Sequence, residues 1–397
     1  MFQRICLKSE ESIDQDSYIA RHIDTMLFYG EVITLVQNDQ LSLLLRYFGE
    51  DLLDQLIKNG RLKIFIRQNR VGSMMVPNGD QENYNVQLVS KKDETAEGVL
   101  YKSYHEIFNN STTSLRFADK FSGVIRPFSY QPGIIDQIRN DFKDVDLLRK
   151  TLPIYLNSLV PNYYVPKELN VEIVEEASYG PFGTYALKSN IDLREVNTSY
   201  NLINPGNKIP MGYSGFFLSL AEAKGDIYIA SQFLSELVTR DLYSKFIEIE
   251  LSDIVNRRLK SEENLNLFEE YILRDCHSLG HAFTEGLISR KELFTILVKG
   301  DKFRGWLDKV PEDKNLIGEY YREVTKGSIT DKLPLKTLRF IIINGIGITI
   351  ELYNPGVLGV AVATGLHAID DFYLEKLIKG WRPNHFIDDT LIPKIKK

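Results

Sequence analysis

Cysteine is nearly missing from this chain: Cys6 and Cys276 are the only two in 397 residues. Two thiols cannot build a disulfide framework, nor a thiolate metal cage by themselves, so a reducing compartment is expected. An excess of positive charge is missing too. Forty-eight Lys plus Arg face 54 Asp plus Glu, a net charge of -6, which leaves no bulk positive field to hold a phosphate backbone and sets nucleic acid aside as a partner. No uncharged apolar run reaches the ~18 residues that mark a membrane-spanning helix. The opening MFQRICLKSEES turns charged before it could form the apolar stretch of a signal peptide, so a cytoplasmic location is expected. No G-x-G-x-x-G follows the first strand recognised below, no G-x-x-x-x-G-K-[ST] occurs, and there is no G-x-S-x-G. The usual dinucleotide and phosphate cradles and the serine-hydrolase elbow are thereby absent. Nor is there an internal repeat of the length that solenoids and propellers need.

What is present is the composition of a folded globular protein, 43% hydrophobic and 11% aromatic, enough for a large core in two or three domains. Residues 31–37 (EVITLVQ) and 61–67 (RLKIFIR) are β-branched apolar runs. Between them Leu41, Leu44, Leu45, Phe48, Leu52 and Leu56 recur at helical spacing, Gly49 offers a kink, and Asn59-Gly60 supplies a left-handed stop. This is a β-α-β unit. In its second strand Leu62, Ile64 and Ile66 alternate with Arg61, Lys63, Phe65 and Arg67, which predicts one half-exposed sheet face.

Residues 71–130 read as strands joined by long loops, with a strand at 84–89 and polar loops at 109–113. Residues 134–159 read as helical with a stop at Pro153, where the missing N–H breaks the ladder. Residues 170–176 and 184–188, around Tyr-Gly-Pro-Phe-Gly, form a predicted hairpin, and 226–230 a short strand beside it. Helical texture begins near residue 230. Ser289 and Glu292 make a capping box, Leu293, Phe294, Leu297, Phe303, Trp306 and Leu307 an apolar face, and Gly380 a final helix stop. The expected organisation is an α/β or α+β part over 1–235, containing the β-α-β unit and the hairpin, followed by a mainly helical part over 236–397.

Residues 340–369 (FIIINGIGITIELYNPGVLGVAVATGLHAI) carry one charge, Glu351, and a central Asn-Pro-Gly. Gly345, Gly347, Gly356, Gly359 and Ala363 would let two backbones approach closely. Each helical arm would reach roughly 20 Å, short of the roughly 30 Å hydrocarbon thickness, so the first reading is a buried helical hairpin. A hairpin released to a membrane surface and an oligomer interface are the functional alternatives.

Three clusters qualify as chemical sites. His277, His281 and Glu285 fall at i, i+4 and i+8 and would share one face of a continuous helix, a spacing zinc accepts, beside Asp275 and Cys276. The Glu that a metalloprotease helix places after its first His is absent. His367, Asp370 and Asp371 form a second acid-base cluster, which also fits a helix emerging into water. The carboxyl ends of the two strands carry Asn38 and Asp39, and Arg67, Asn69 and Arg70, where parallel sheets take ligands and where the arginines suit an anion.

These features favour recognition over catalysis. The expected function is an intracellular interaction or sensor protein whose N-terminal part binds a ligand or a protein partner, self-association included, with a helical module coupled to it. A membrane-perturbing effector acting through residues 340–369 and a metal-dependent hydrolase at His277 are the alternatives. No cofactor is expected outside a divalent metal at that histidine cluster.

Overall fold

The computed structural model describes residues 2–8, 14–78, 81–90, 95–176, 184–206, 212–273, 276–311, 316–325, 340–344, 347–351 and 383–396. The chain divides into two compact units, Phe2–Lys260 and Ser261–Lys397.

The first unit is built on β1 (Arg4–Lys8), α1 (Gln15–Phe28), β2 (Glu31–Val36), α2 (Asn38–Lys58) and β3 (Leu62–Arg67). The β-α-β unit is therefore present, and an earlier strand and helix precede it. α2 bends at Gly49, whose φ of 69° is open to a residue without a Cβ, and stops at Gly60, φ 68°. β3 buries Leu62, Ile64 and Ile66 and exposes Lys63, as its alternation predicts. β4 (Asn69–Asn78) and β5 (Gln81–Ser90) pair antiparallel.

The next stretch corrects the loop reading of residues 71–130. Two helices, α3 (Ala96–Phe108) and α4 (Ser111–Ser122), lie there, followed by β6 (Arg126–Phe128). The polar residues at 109–113 are their punctuation: Asn109 takes the left-handed conformation that closes α3, and the Asn110 side chain caps α4 by accepting from the Thr113 N–H. α5 (Gly133–Lys143) and α6 (Val145–Leu159) come next. Their break is at Asp144, whose carboxylate accepts from the N–H groups of Asp146 and Leu147, and not at Pro153, which sits inside α6. A competent cap decides the boundary, while one lost hydrogen bond bends or weakens a helix that packing still holds.

β7 (Val171–Glu176) and β8 (Thr184–Ser189) are the predicted hairpin strands, paired from Val171 opposite Ser189 to Glu176 opposite Thr184. α7 (Leu193–Ile203) and α8 (Ser214–Phe233) follow, then β9 (Glu236–Val238) and α9 (Asp241–Ile272), which is interrupted at Leu251. The strand expected at 226–230 is instead part of α8. This helix buries residues on nearly every side, Phe216, Phe217, Leu220, Ala221, Ala223, Gly225 and Ile229 among them, so its periodicity is erased and short windows of it imitate a strand.

Two sheets result. One is parallel, in the order β6-β3-β2-β1-β9; the other is antiparallel, β4-β5-β8-β7. α8 packs on β1, β4, β5 and β9, so it serves both sheets. The core beneath it gathers Cys6, Ile33, Leu35, Tyr84, Phe128, Phe142, Phe216 and Phe217.

The second unit contains α10 (Leu279–Thr284), α11 (Arg290–Lys299), α12 (Asp301–Leu307) and α13 (Leu316–Thr325). The capping box is formed: Ser289 accepts from the Glu292 N–H, and Glu292 accepts from the Ser289 N–H at 3.1 Å. Leu293, Leu297, Phe303, Trp306 and Leu307 are buried, and Phe386 of the helical tail over residues 383–395 stacks on Phe303 with ring centroids 5.4 Å apart. β10 (Phe340–Asn344) and β11 (Gly347–Glu351) pair antiparallel, with Asn344 opposite Gly347. The helical reading of 340–351 is corrected here: the β-branched isoleucines favour extended backbone, and the two strands reverse between Asn344 and Gly347, while Asn354 and the rest of the expected hairpin lie outside the described residues. Gly345, Gly356, Gly359, Ala363, Gly380 and Trp381 lie outside the described residues.

Candidate functional site

In the parallel sheet β2, β3 and β6 extend from β1 in one direction, and β9 is added on its other side. Strand order reverses between β1 and β9. In such sheets ligands sit in the crevice outside the carboxyl ends of the strands at the reversal. The residues that occupy this place were not singled out by the sequence.

β1 is a central strand, with Ile5, Cys6 and Leu7 buried, and Lys8 is its last residue. Its register places Lys8 opposite Leu35 of β2. On α8, Glu222 and Asp226 stand one turn apart on a shared face. The Lys8 ammonium donates to Glu222 Oε2 at 2.5 Å and to Asp226 Oδ1 at 2.7 Å. The side chain of Asp226 is 0% exposed, those of Lys8 and Glu222 12% and 16%. The Thr239 hydroxyl, just past β9, donates to Asp226 Oδ2. Lys8 Nζ also lies 5.8 Å from the centre of the Tyr243 ring, which Arg240 approaches at 5.7 Å. Groups more than 200 residues apart in sequence thus meet at one strand end.

The electrostatics follow from the burial. Desolvation alone would lower the Lys8 pKa, but Asp226 and then Glu222 outweigh it and hold the ammonium above the ordinary lysine value. Burial pushes the Asp226 carboxyl up, with Lys8 and Thr239 pulling it back. Burial, with Asp226 next, pushes the Cys6 thiol up as well, so no thiolate is available for attack.

Tyr130, two residues past β6, completes the constellation. Both amide atoms of Asn69 hold its backbone: Oδ1 accepts from the Tyr130 N–H at 2.7 Å and Nδ2 donates to the Tyr130 carbonyl at 3.1 Å. The ring is 3% exposed and packs against Phe128 and Tyr228. Its hydroxyl faces Gly225 of α8, where a Cβ would stand only 3.0 Å away, and it has no hydrogen-bond partner among the described residues. Burial raises its pKa, so it remains a donor.

Of the ligand-edge candidates, only Arg67 and Asn69 join this place. Arg67 follows Phe65, whose ring lies 4.8 Å from Phe233 of α8; two residues on, Arg67 shares that face, and its charge acts on the Tyr130 hydroxyl. Asn38 is committed elsewhere: its amide donates to Glu106 at 2.5 Å and accepts from Ser103 at 2.9 Å, while Ser42 donates to Glu106 at 2.6 Å, which ties α2 to α3. Asp39 and Arg70 are exposed.

No protein-family profile matches this sequence, and no curated protein or solved structure is significantly similar to it. The chemistry of the site must therefore be read from its own geometry.

The histidine cluster is arranged differently from the single helical face expected. α10 begins at Leu279 with Ser278 as its cap, so His277 precedes the helix and its N–H donates to the Ile395 carbonyl at 2.8 Å. His277 Nδ1 and Glu285 Oε2 are 3.9 Å apart, and His281 is exposed. Among the described residues no three His, Cys, Asp or Glu side chains are grouped closely enough to hold a metal ion. Asp275, His367, Asp370 and Asp371 lie outside the described residues, and Gly347 opens β11.

An open groove of about 460 Å³ lies between α6 and the first turn of α9, lined by Pro153, Ile154, Asn157, Asp241, Leu242 and Lys245. It does not contain the buried charges. Its one ion pair, Lys245 with Asp241 at 2.8 Å, is open to water, which is weaker support for a site than charges withdrawn from it. Among the described residues no helix is long and apolar enough to cross a membrane.

The missed residues left one readable sign. Glu222, Lys224 and Asp226 punctuate an otherwise apolar and small-residue helix, and Lys8 closes the Ile-Cys-Leu triplet. Charges embedded in buried elements mark expensive positions, and these are such positions.

Proposed function

We propose that this chain is an interaction or sensor protein of the cytoplasm, whose Phe2–Lys260 unit binds a small polar ligand at the carboxyl edge of the parallel sheet, between β1 and β9. The reading rests on one observation: Lys8, Glu222 and Asp226 are withdrawn from water at the strand reversal. A buried ion pair is weak support for stability, because desolvating the charges costs about as much as their attraction returns. Three such charges at the place where parallel sheets take ligands are better accounted for by recognition. Cys6 and Cys276, neither of them in a disulfide, suit a reducing compartment.

The test is the thermal unfolding midpoint of the wild type and of Lys8→Met, once the variant's circular dichroism shows that it folds. The compounds are inorganic phosphate, adenosine monophosphate, succinate, glutamate and glucose. The expected result is a saturable rise for the wild type with at least one compound and none for Lys8→Met. A rise that survives the substitution would place binding elsewhere, and a panel without any rise would equally count against the site.

A further inference from the structure

The groups that surround the proposed crevice are unequal in what they have left to offer. Glu222 and Asp226 are acceptors already engaged by Lys8, and Asp226 accepts from Thr239 as well. The remaining capacity is of the opposite kind. An ammonium has three N–H donors, of which Lys8 spends two on these carboxylates. The Tyr130 ring is buried, but its hydroxyl keeps a contact with water and has no partner among the described residues; it packs against Gly225, whose missing Cβ makes room for it. Arg67 is half-buried, and no carboxylate pairs with it among the described residues.

The strand register puts these donors in order. Arg67 is opposite Phe128 at the end of β3, and Tyr130 follows two residues later on the neighbouring strand. Lys8 is on β1, two strand spacings from β3, or roughly 10 Å at about 4.8 Å per spacing. Long side chains of Lys, Arg and Tyr close a gap of that size, and the charges of Lys8 and, more weakly, Arg67 act on the Tyr130 hydroxyl. A hydroxyl that reaches water and has no partner among the described residues is open to a ligand that supplies an acceptor.

We infer that the ligand bears an oxyanion, a carboxylate or a phosphate monoester, which is received by Arg67, the Tyr130 hydroxyl and the third N–H of Lys8. The inference rests on the ligand site proposed above. A planar guanidinium beside a neutral hydroxyl matches two oxygens of such a group, and a charge-assisted bond from each donor strengthens where water is excluded. Glu222 and Asp226 then act as positioning residues that keep the Lys8 ammonium charged and aimed.

Titration calorimetry with sodium phosphate, sodium succinate and glucose, at constant ionic strength set with sodium chloride, tests this. The proteins are the wild type, Arg67→Gln, Tyr130→Phe and Arg70→Gln, the last removing an exposed arginine outside the site. The wild type is expected to bind one of the two anions saturably, and which one it takes separates phosphate from carboxylate recognition. Arg67→Gln and Tyr130→Phe should each weaken that binding about tenfold or more, the effect of losing one hydrogen bond to a charged group, while Arg70→Gln leaves it unchanged. Glucose bound in place of both anions, and lost in Lys8→Met, would keep the site and overturn the oxyanion. Failure of both anions to bind, or equal binding by all four proteins, would also overturn it.

Discussion

Helix α8 carries two lysine–dicarboxylate clusters whose compositions are the same and whose surroundings are not. On one face Glu222 and Asp226 receive Lys8 from β1. On the other, Lys224 of the helix itself reaches Asp141 of α5 at 3.0 Å and Glu250 of α9 at 2.8 Å. The second cluster joins three helices, and its side chains are 15%, 17% and 30% exposed, so water screens it in part. It brackets three helices, away from the carboxyl edge of the sheet. The first includes a carboxylate with no exposure at all and lies beside Tyr130 and Arg67, whose donors are unspent. Charge composition therefore does not separate a bracket from a site; what separates them is the burial of Asp226 and the place of the first cluster at the sheet edge, beside the donors of Tyr130 and Arg67.

The largest expected effect comes from removing each lysine. Lys8→Met leaves Asp226 buried without its counter-ion and should cost about 3–5 kcal/mol in the urea unfolding free energy of the chain. Lys224→Met leaves two carboxylates that water can reach and should cost about 1–2 kcal/mol. Equal losses would make the two clusters equivalent and erase the distinction between bracket and site.

The second effect is a pH dependence carried by Asp141 of the bracket. Burial raises the Asp141 carboxyl from 3.8 to about 6, against the pull of Lys224 and with Glu250 adding to the rise. The folded chain then binds this proton more tightly than the unfolded chain does, so the group favours the fold in acid. That advantage is lost as pH rises from about 4 through about 6. His22 titrates in the same window with the opposite sign. Its Nδ1 donates to the Tyr18 carbonyl at 2.8 Å, its Nε2 accepts from the Thr34 hydroxyl at 3.1 Å, and burial lowers its pKa from 6.5 to about 4. Its stabilisation is lost as pH falls through that interval. The two oppose each other in the wild type, so the informative quantity is the difference from Asp141→Asn. Relative to that variant, the wild type should lose roughly 1–3 kcal/mol between pH 4 and pH 7 in urea unfolding. A difference that stays constant across the range would show that Asp141 does not titrate there.

The contrast also explains how much could be read in advance. The β-α-β unit, the 171–189 hairpin, the Ser289 capping box and the change to helices were legible because each rests on local signals: β-branched runs, Gly60, alternation, a cap. β1 was not, because a strand of five residues buried on both faces has no alternation to show, and the charges of Arg4 and Lys8 at its two ends leave only three apolar residues between them. α8 was mistaken in part for a strand because it is buried nearly all round. The site was missed for the same reason as its scaffold. Lys8, Tyr130, Glu222 and Thr239 are distant in sequence, and only the sheet order brings them to one edge. Arg67 and Asn69 could be named because they directly follow a strand that could be recognised, and Asn69 proves to act on the Tyr130 backbone.

The smallest expected effect sharpens the comparison most. Tyr130→Phe removes one oxygen and no hydrogen bond made within the described residues, so it should change the unfolding free energy by less than about 0.5 kcal/mol. For contrast, the buried Tyr213 hydroxyl is 2.6 Å from Ser189 Oγ, and Tyr213→Phe should cost about 1 kcal/mol in the same assay. Both rings stay packed in either variant, so the difference isolates the hydroxyl. A loss of about 1 kcal/mol or more for Tyr130→Phe would mean that its hydroxyl is spent inside the fold, and Arg67 and Lys8 alone would then have to account for the crevice. A neutral result would leave a tyrosine whose ring serves the core and whose oxygen serves only what the crevice receives.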